Sequence, residues 1–191
     1  MAQCVFKTKK ELREAIEYEK KMYRDLIVSI CRSYFFAVVV SHPLVNILKW
    51  QVASRTFDWY SSRPRSFFNM FPYTFWLWRS NRLAQKIGVE INTKNVGRGF
   101  LLYHTGATVI NGGSVIGENL KLHGNNCIGN GGPHNMSCPK IGKNVVVGVG
   151  AKIFGNVEIA DNVKIGAGAV VNKSVLEEGA LVVGVPGRVV K

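Results

Sequence analysis

The sequence predicts a mainly β chain, a hexapeptide solenoid wound as a parallel β-helix, behind an N-terminal α-helical region. Three observations predict it. Single aliphatic residues recur every six positions: Ile110, Ile116, Leu122 and Ile128, then, after an interruption, Ile141, Val147, Ile153, Ile159, Ile165 and Val171. The residue after the aliphatic is often small, as at Gly117, Gly129, Gly142, Gly148, Ala160 and Gly166. Asn or Gly recurs at the turns, as in Glu118-Asn119, Lys143-Asn144 and Asp161-Asn162. A fixed period of this kind marks stacked repeats. Each unit is a short flat strand plus a turn, and three units close a triangular coil. The aliphatic points into the prism and packs on its copies above and below. One coil cannot bury its own apolar residue, so only the stack is stable. The small residue is expected at the tight bend, where Gly or Asn tolerates a positive φ. An ordinary β domain would instead alternate with period two.

Taken in order, residues 7–24 read as a charged helix, with Glu17 and Lys21 four apart in the favourable order. Residues 25–40 turn apolar, and Arg32 interrupts the run. A bilayer span needs about 20 apolar residues in sequence. The run therefore predicts a buried helix or an oligomer contact, not a transmembrane span. His42-Pro43 breaks it, and a second helix is expected at about 44–57. Residues 58–79 are dense in aromatics and Arg, from Trp59 and Arg63 through Phe67, Phe68 and Phe71 to Trp78 and Arg79. They predict core and subunit packing; the second reading is a basic aromatic surface for a membrane face or a carbohydrate. A last helix, about 74–87, is expected to end at Gly88 as its C-cap. The chain thus divides into a helical region, 1–88, and a β-helix, 89–191.

The solenoid opens near Val89-Glu90-Ile91, and Val96 and Leu102 continue the beat backwards from Ile110. The step from Leu102 to Ile110 is eight, so two residues are inserted within Tyr103-His104-Thr105-Gly106. The step from Ile128 to Ile141 is thirteen, so seven residues loop out between Gly129 and Lys140. Insertions in a solenoid leave the packed wall and commonly form the binding edge.

Net charge is +13, with 15 Lys/Arg against 7 Asp/Glu in residues 1–90 and 10 against 5 in 91–191. Such a surface attracts nucleic acid, anionic lipid or phosphorylated small molecules. No helix-turn-helix, zinc-finger or RNP-like motif is present, so no nucleic-acid partner is expected. Cys4, Cys31, Cys127 and Cys138 follow no framework spacing, which favours a reducing, cytoplasmic compartment. Lys7 to Lys21 is charged where a cleavable signal peptide would be apolar, so none is expected.

The repeat, together with Gly-Val-Pro-Gly-Arg at 184–188, resembles the hexapeptide acyltransferases. That resemblance implies a left-handed parallel β-helix, an exception to the right-handed crossover rule. Within that group the chain resembles the serine acetyltransferases and their polysaccharide-modifying relatives over about 89–191. The carriers are Glu90, Val96-Gly97-Arg98-Gly99, the histidine turn Tyr103-His104-Thr105-Gly106, Pro139-Lys140-Ile141-Gly142 and Gly150-Ala151-Lys152-Ile153-Phe154-Gly155-Asn156. Two departures stand out. The serine enzymes have Asp-His where this chain has Tyr103-His104, and Arg-His where it has Ser137-Cys138. Those groups help hold the amino acid's charged ends, and an Arg–carboxylate pair is a strong bidentate interaction. Asn135-Met136-Ser137-Cys138-Pro139 instead resembles the capsule and exopolysaccharide O-acetyltransferases, including the colanic acid type. The sequence ends at Lys191, and no tail of the kind through which cysteine inhibits serine enzymes is expected.

The resemblance implies acetyl-CoA as acyl donor, which accounts for part of the positive charge, and no metal. An imidazole near neutrality takes the proton of an attacking hydroxyl, and His104 is that general base. Glu90 is the candidate carboxylate that fixes its tautomer. Loop N–H groups at Gly129–Gly132, including Gly129 and Gly131, are candidate oxyanion donors. Tyr103, His123, His134 and Cys138 are candidate acceptor-site groups. Cys138 shapes that site and is no nucleophile, since no acyl-enzyme is required. The small residues Val149, Gly150, Ala151, Ala167 and Gly168 are implied to line the coenzyme A groove, with Lys152, Lys164, Lys173 and Arg188 near its phosphates. The expected assembly is a homotrimer with sites at its seams, or a dimer of trimers. The expected acceptor is a hydroxyl of a surface-polysaccharide sugar or its precursor, at the inner face of the membrane. L-serine is the alternative acceptor; a zinc site built from His104, His123 and His134, and a non-catalytic trimeric scaffold, are the competing readings.

Overall fold

The computed structural model describes residues 5–64, 66–133 and 136–190. Helix α1 (Lys9–Cys31) starts on a reciprocal cap: Glu11 N–H donates to Thr8 Oγ1 at 3.1 Å, and Lys7 N–H donates to the Glu11 carboxylate at 2.8 Å. It stops at Arg32, which takes the left-handed conformation with φ 58° and donates its N–H to Val28 O. The chain then turns into the short α2 (Tyr34–Val39), of which Ala37 is buried. Of the two expectations for 25–40, the buried helix is therefore corrected, while an oligomer contact is compatible with the exposed apolar residues. Arg32 is a turn, and Phe35, Phe36, Val39 and Val40 are exposed. Helix α3 (Pro43–Ser61) opens on Pro43, whose missing N–H is no loss at a helix start. Helix α4 (Phe67–Ile87) begins earlier than the expected 74 and contains Pro72; it ends as expected on left-handed Gly88, φ 72°. Of the aromatic segment, Trp59 is buried and Phe57 packs on Tyr73, but Phe67, Phe68, Phe71 and Trp78 face solvent. Core packing accounts for only part of it.

From Val89 the chain winds through short strands that form three faces. The first face holds β1 (Val89–Ile91), β3 (Thr108–Ile110), β6 (Cys127–Gly129), β9 (Lys152–Phe154) and β12 (Val170–Val171). The second holds β4 (Val115–Ile116), β7 (Lys140–Ile141) and β10 (Glu158–Ile159), extended by bridges at Val96 and Val175. The third holds β2 (Leu101–Leu102), β5 (Lys121–Leu122), β8 (Val146–Val147), β11 (Lys164–Ile165), β13 (Leu181–Val183) and β14 (Arg188–Val190). All pairings are parallel except β13 with β14. The register stacks the six-residue beat on itself: Ile110 on Ile128, Ile128 on Ile153, Ile153 on Val171, and Leu102 on Leu122, Leu122 on Val147, Val147 on Ile165. All of these side chains are buried. They share one continuous core with Tyr23, Ile27 and Trp50 from the helices.

The corners differ from expectation in one respect. Between the second and third faces the left-handed corner residues include Gly99, Asn119, Asn144 and Asn162, at φ 79°, 60°, 56° and 62°. The small residues just after the aliphatics are not among them. They are small because successive corners touch. A Cβ on Gly97 would lie 2.7 Å from the Gly117 carbonyl carbon, one on Gly117 2.7 Å from that of Gly142, and one on Gly148 2.5 Å from Ala167 N. The asparagines form a ladder: Asn119 Nδ2 donates to Asn144 Oδ1 at 3.0 Å, and Asn144 Nδ2 to Asn162 Oδ1 at 3.0 Å.

The first coil has a free lower edge, and buried polar backbone there must be paired. Side chains of α1 and α3 pair it. Arg55 donates to the carbonyls of Thr93, Val96 and Gly97 at 3.0, 2.6 and 2.7 Å and to Glu19 Oε1 at 2.8 Å. That same Glu19 oxygen accepts from Gly99 N–H at 3.1 Å. Tyr23 Oη accepts from Leu102 N–H at 2.9 Å, and Gln51 Nε2 donates to Phe100 O at 2.8 Å. Thr93 Oγ1 donates to the Asp58 carboxylate.

Candidate active site

The edge where the third face turns into the first is a column of stacked corners. His104 lies at its base. A Cβ on Gly124 would lie 3.2 Å from His104 Cβ. Gly150 N–H donates to Gly124 O at 3.0 Å, and Gly168 N–H to Val149 O at 2.8 Å. The insertion after Leu102 is what frees His104 from the wall; its side chain is exposed, beside half-buried Tyr103. The Tyr103 ring stacks on the His123 imidazole, with centroids 4.6 Å apart and planes 8° from parallel. Burial holds the His123 pKa below its ordinary range, and the charges of His104 and Lys121 add to the effect. Tyr103, His104 and His123 therefore form one cluster.

Two residues that sequence reasoning passed over set the shape of this edge. Asn126 is buried; its Oδ1 accepts from Gly124 N–H at 2.9 Å and its Nδ2 donates to Gly148 O at 2.7 Å. Asn125 takes a left-handed φ of 54°, and a Cβ on Gly106 would lie 2.7 Å from Asn125 Oδ1. Their only sequence signal is the Asn recurring at turns.

Above the cluster the edge is open at its glycines and otherwise carries only the small residues Val149 and Ala167. A Cβ at Gly168 would meet nothing within 4 Å, and one at Gly150 only Gly168 N at 4.0 Å. Val149 and Ala167 are exposed there, whereas the Ala151 side chain is buried in the prism. Lys152 in β9 and Lys164 in β11 flank the column on its two faces. Lys173 follows β12 at a different edge, and Arg188 stands in β14 opposite Val183.

Other expected site residues lie apart. Glu90 is exposed in β1, opposite Val109, and among the described residues no hydrogen bond or ion pair joins it to His104. Gly129, Gly131 and Cys138 belong to the loop at the edge between the first and second faces. There Cys138 Sγ lies 3.5 Å from Asn111 Oδ1. Within one chain the structure does not bring this loop to His104. His134 lies outside the described residues. Among those residues no group of three or more His, Cys, Asp and Glu gathers as a metal site.

The geometry can be set beside known proteins. Residues 138–173 match the family model described as bacterial transferase hexapeptide (six repeats). The chain is 38% identical over 105 residues to a serine acetyltransferase of Synechococcus elongatus, covering 54% of this chain and 43% of that one. It is 42% identical over 103 residues to the putative colanic acid biosynthesis acetyltransferase WcaB of Escherichia coli K12, covering 53% of this chain and 63% of that one. The chain thus spans less than two thirds of the length of either relative. The crystal structure of Neisseria gonorrhoeae serine acetyltransferase in complex with serine superposes with a TM-score of 0.68 at 26% identity, over 96% of this chain and 70% of that one. That of Brucella abortus serine acetyltransferase with coenzyme A superposes at 0.66 and 24% identity, over 94% and 66%. The fold is the left-handed parallel β-helix of these structures, and the chain is similar to the serine acetyltransferases and to WcaB.

Proposed function

We propose that this chain is an acetyl-CoA-dependent O-acetyltransferase acting on a hydroxyl of a surface-polysaccharide sugar or its precursor. One observation carries the reading: an exposed His104 stands at the foot of an edge that is open at Gly150 and Gly168, next to the stacked Tyr103–His123 pair. The imidazole takes the proton as the acceptor oxygen bonds to the acetyl carbon. The C–S bond breaks, and the proton returns to the leaving thiolate. The open column of Gly150 and Gly168 suits the pantetheine arm, and Lys152 and Lys164 the phosphates. A structural neighbour solved with coenzyme A supports coenzyme A as the donor. Thiol release from acetyl-CoA, measured with methyl glycosides and with L-serine, tests the reading. His104→Ala is expected to lower turnover about 10²–10⁴-fold with the fold retained. Unchanged turnover removes catalysis from His104.

L-serine is the second reading, because relatives of this chain are serine acetyltransferases. Against it, Tyr103 and Ser137-Cys138 stand where charged ligands of an amino acid would be needed. Brisk serine turnover with idle glycosides would decide for serine.

The working unit is a homotrimer, or two stacked trimers. His104 and the Cys138 loop occupy different edges of one chain, so a site that uses both draws them from adjacent copies. The setting is the cytoplasm, at the membrane's inner face. No helix among the described residues is long and apolar enough to cross a membrane. Phe67, Phe71, Phe75 and Trp78 fall on one side of α4, exposed, and Arg82 covers the Trp78 ring at 5.4 Å. Aromatic and basic residues together suit an anionic interface.

A further inference from the structure

A cavity of about 570 Å3 lies between α3, α4 and the first face. Small-molecule sites span about 300–1,000 Å3. The histidine cluster is not part of its wall. Trp50 and Phe57 form the apolar side; Asp58, Ser80, Asn81 and Glu90 form the polar side. The chain carries 25 Lys and Arg, yet none lines this cavity. Arg55 and Lys94 act on Asp58 from outside this lining; on the cavity side the two carboxylates repel phosphates and carboxylates and accept hydrogen bonds from hydroxyls. Asp58 is 6% exposed. One of its oxygens accepts from Thr93; among the described residues the other has no hydrogen-bond partner. Burial raises its pKa to about 6, and a hydroxyl donating to the free oxygen offsets part of that desolvation.

We infer that this cavity is a saccharide subsite, which takes a neutral pyranose ring of the acceptor between the polar groups Asp58, Ser80, Asn81 and Glu90 and the apolar wall of Trp50 and Phe57. Its position fits. Gly106, two residues after His104, donates its N–H to Ile87 O at 2.9 Å, and Ile87 is two residues before Val89 on the cavity wall. Chain geometry keeps the two places within about 20 Å. An acceptor of a few sugar units reaches both, and free serine does not. The subsite's role as an acceptor site rests on the acyl-transfer reading; its binding of sugar does not.

Saturation-transfer NMR on the full chain tests it, with methyl glycosides of glucose, galactose and fucose, with methyl N-acetylglucosaminide, and with glucosamine. At least one neutral glycoside is expected to bind the wild type and His104→Ala alike. Asn81→Trp, which fills the cavity from an exposed helix position, should weaken that binding about tenfold or more. Gln85→Trp repeats the test from another residue of the cavity wall, one turn along α4. No binding by any glycoside, unchanged binding in both tryptophan variants, or preference for glucosamine each overturns the inference. If His104→Ala abolishes transfer while both tryptophan variants leave binding and KM unchanged, the subsite alone fails. If glycoside binding is lost in them while His104→Ala transfers normally, the catalytic reading fails and the subsite stands.

Discussion

Gly117 has no room for a side chain, because the next corner's backbone lies where its Cβ would be. Gly117→Ala is expected to cost about 1–3 kcal/mol, the range for overpacking. Gly166→Ala should cost less, since its new methyl would meet the movable Cγ1 of Val183 at 2.9 Å. Urea denaturation of both variants checks the order, and equal losses would refute the stacking explanation. Asp58 gives a second test. Its native pKa is raised by burial from 3.8 to about 6. Between those values the native state keeps a proton that the unfolded chain has lost, so Asp58 makes stability fall as pH rises from about 4 to about 6. Asp58→Asn removes that slope. Its stability relative to wild type should gain up to about 3 kcal/mol between pH 4 and pH 7, and a pH-independent difference would contradict the assignment. His104 was legible in the sequence because a break in a strict period is visible; Asp58, Arg55 and Asn126 were not. A lone charge in a helix reads as surface, and an Asn in a turn reads as a bend. The packing of α3 against the first coil turns Asp58 and Arg55 into buried groups, and the stacking of corners at Gly124 and Gly148 buries Asn126.

At the scale of elements, the Glu19–Arg55 pair ties α1 and α3 to the coil they cover. Both side chains are almost wholly buried, at 2% and 1% exposure. Removing one partner strands the other charge, at about 3–5 kcal/mol. Glu19→Ala should therefore lower the denaturation midpoint sharply, whereas Glu17→Ala, whose partner Lys20 is on the surface, should change it little. A midpoint that Glu19→Ala leaves in place would remove this pair from the account. The coil was readable in advance because each inward position admits only one kind of side chain. The helical region was legible only in outline: its helices and the stop at Gly88, but not their packing. Its long apolar run carries no period that foretells the left-handed turn at Arg32, and the aromatics of α4 read alike whether they face a core or solvent. A motif gives the order of residues and not their contacts: in one chain no hydrogen bond or ion pair among the described residues joins Glu90 to His104.

For the whole molecule, sedimentation equilibrium should return about three times the 21.2 kDa chain mass or twice that again. A monomer with full activity would end the shared-edge arrangement. Vesicles rich in phosphatidylserine should pull the protein down, and Phe67→Ser with Phe71→Ser should release it; retention on neutral vesicles alone would contradict the charge argument. The reversed strand β14 also has a consequence for what this molecule is spared. Exposed backbone at the ends of a repeat invites unlimited head-to-tail growth into fibres. Here α1 and α3 occupy the starting rim with their own donors and acceptors, and β14, running the wrong way, occupies part of the finishing rim. Among the described residues, these two rims therefore offer a further copy less unpaired parallel backbone to extend.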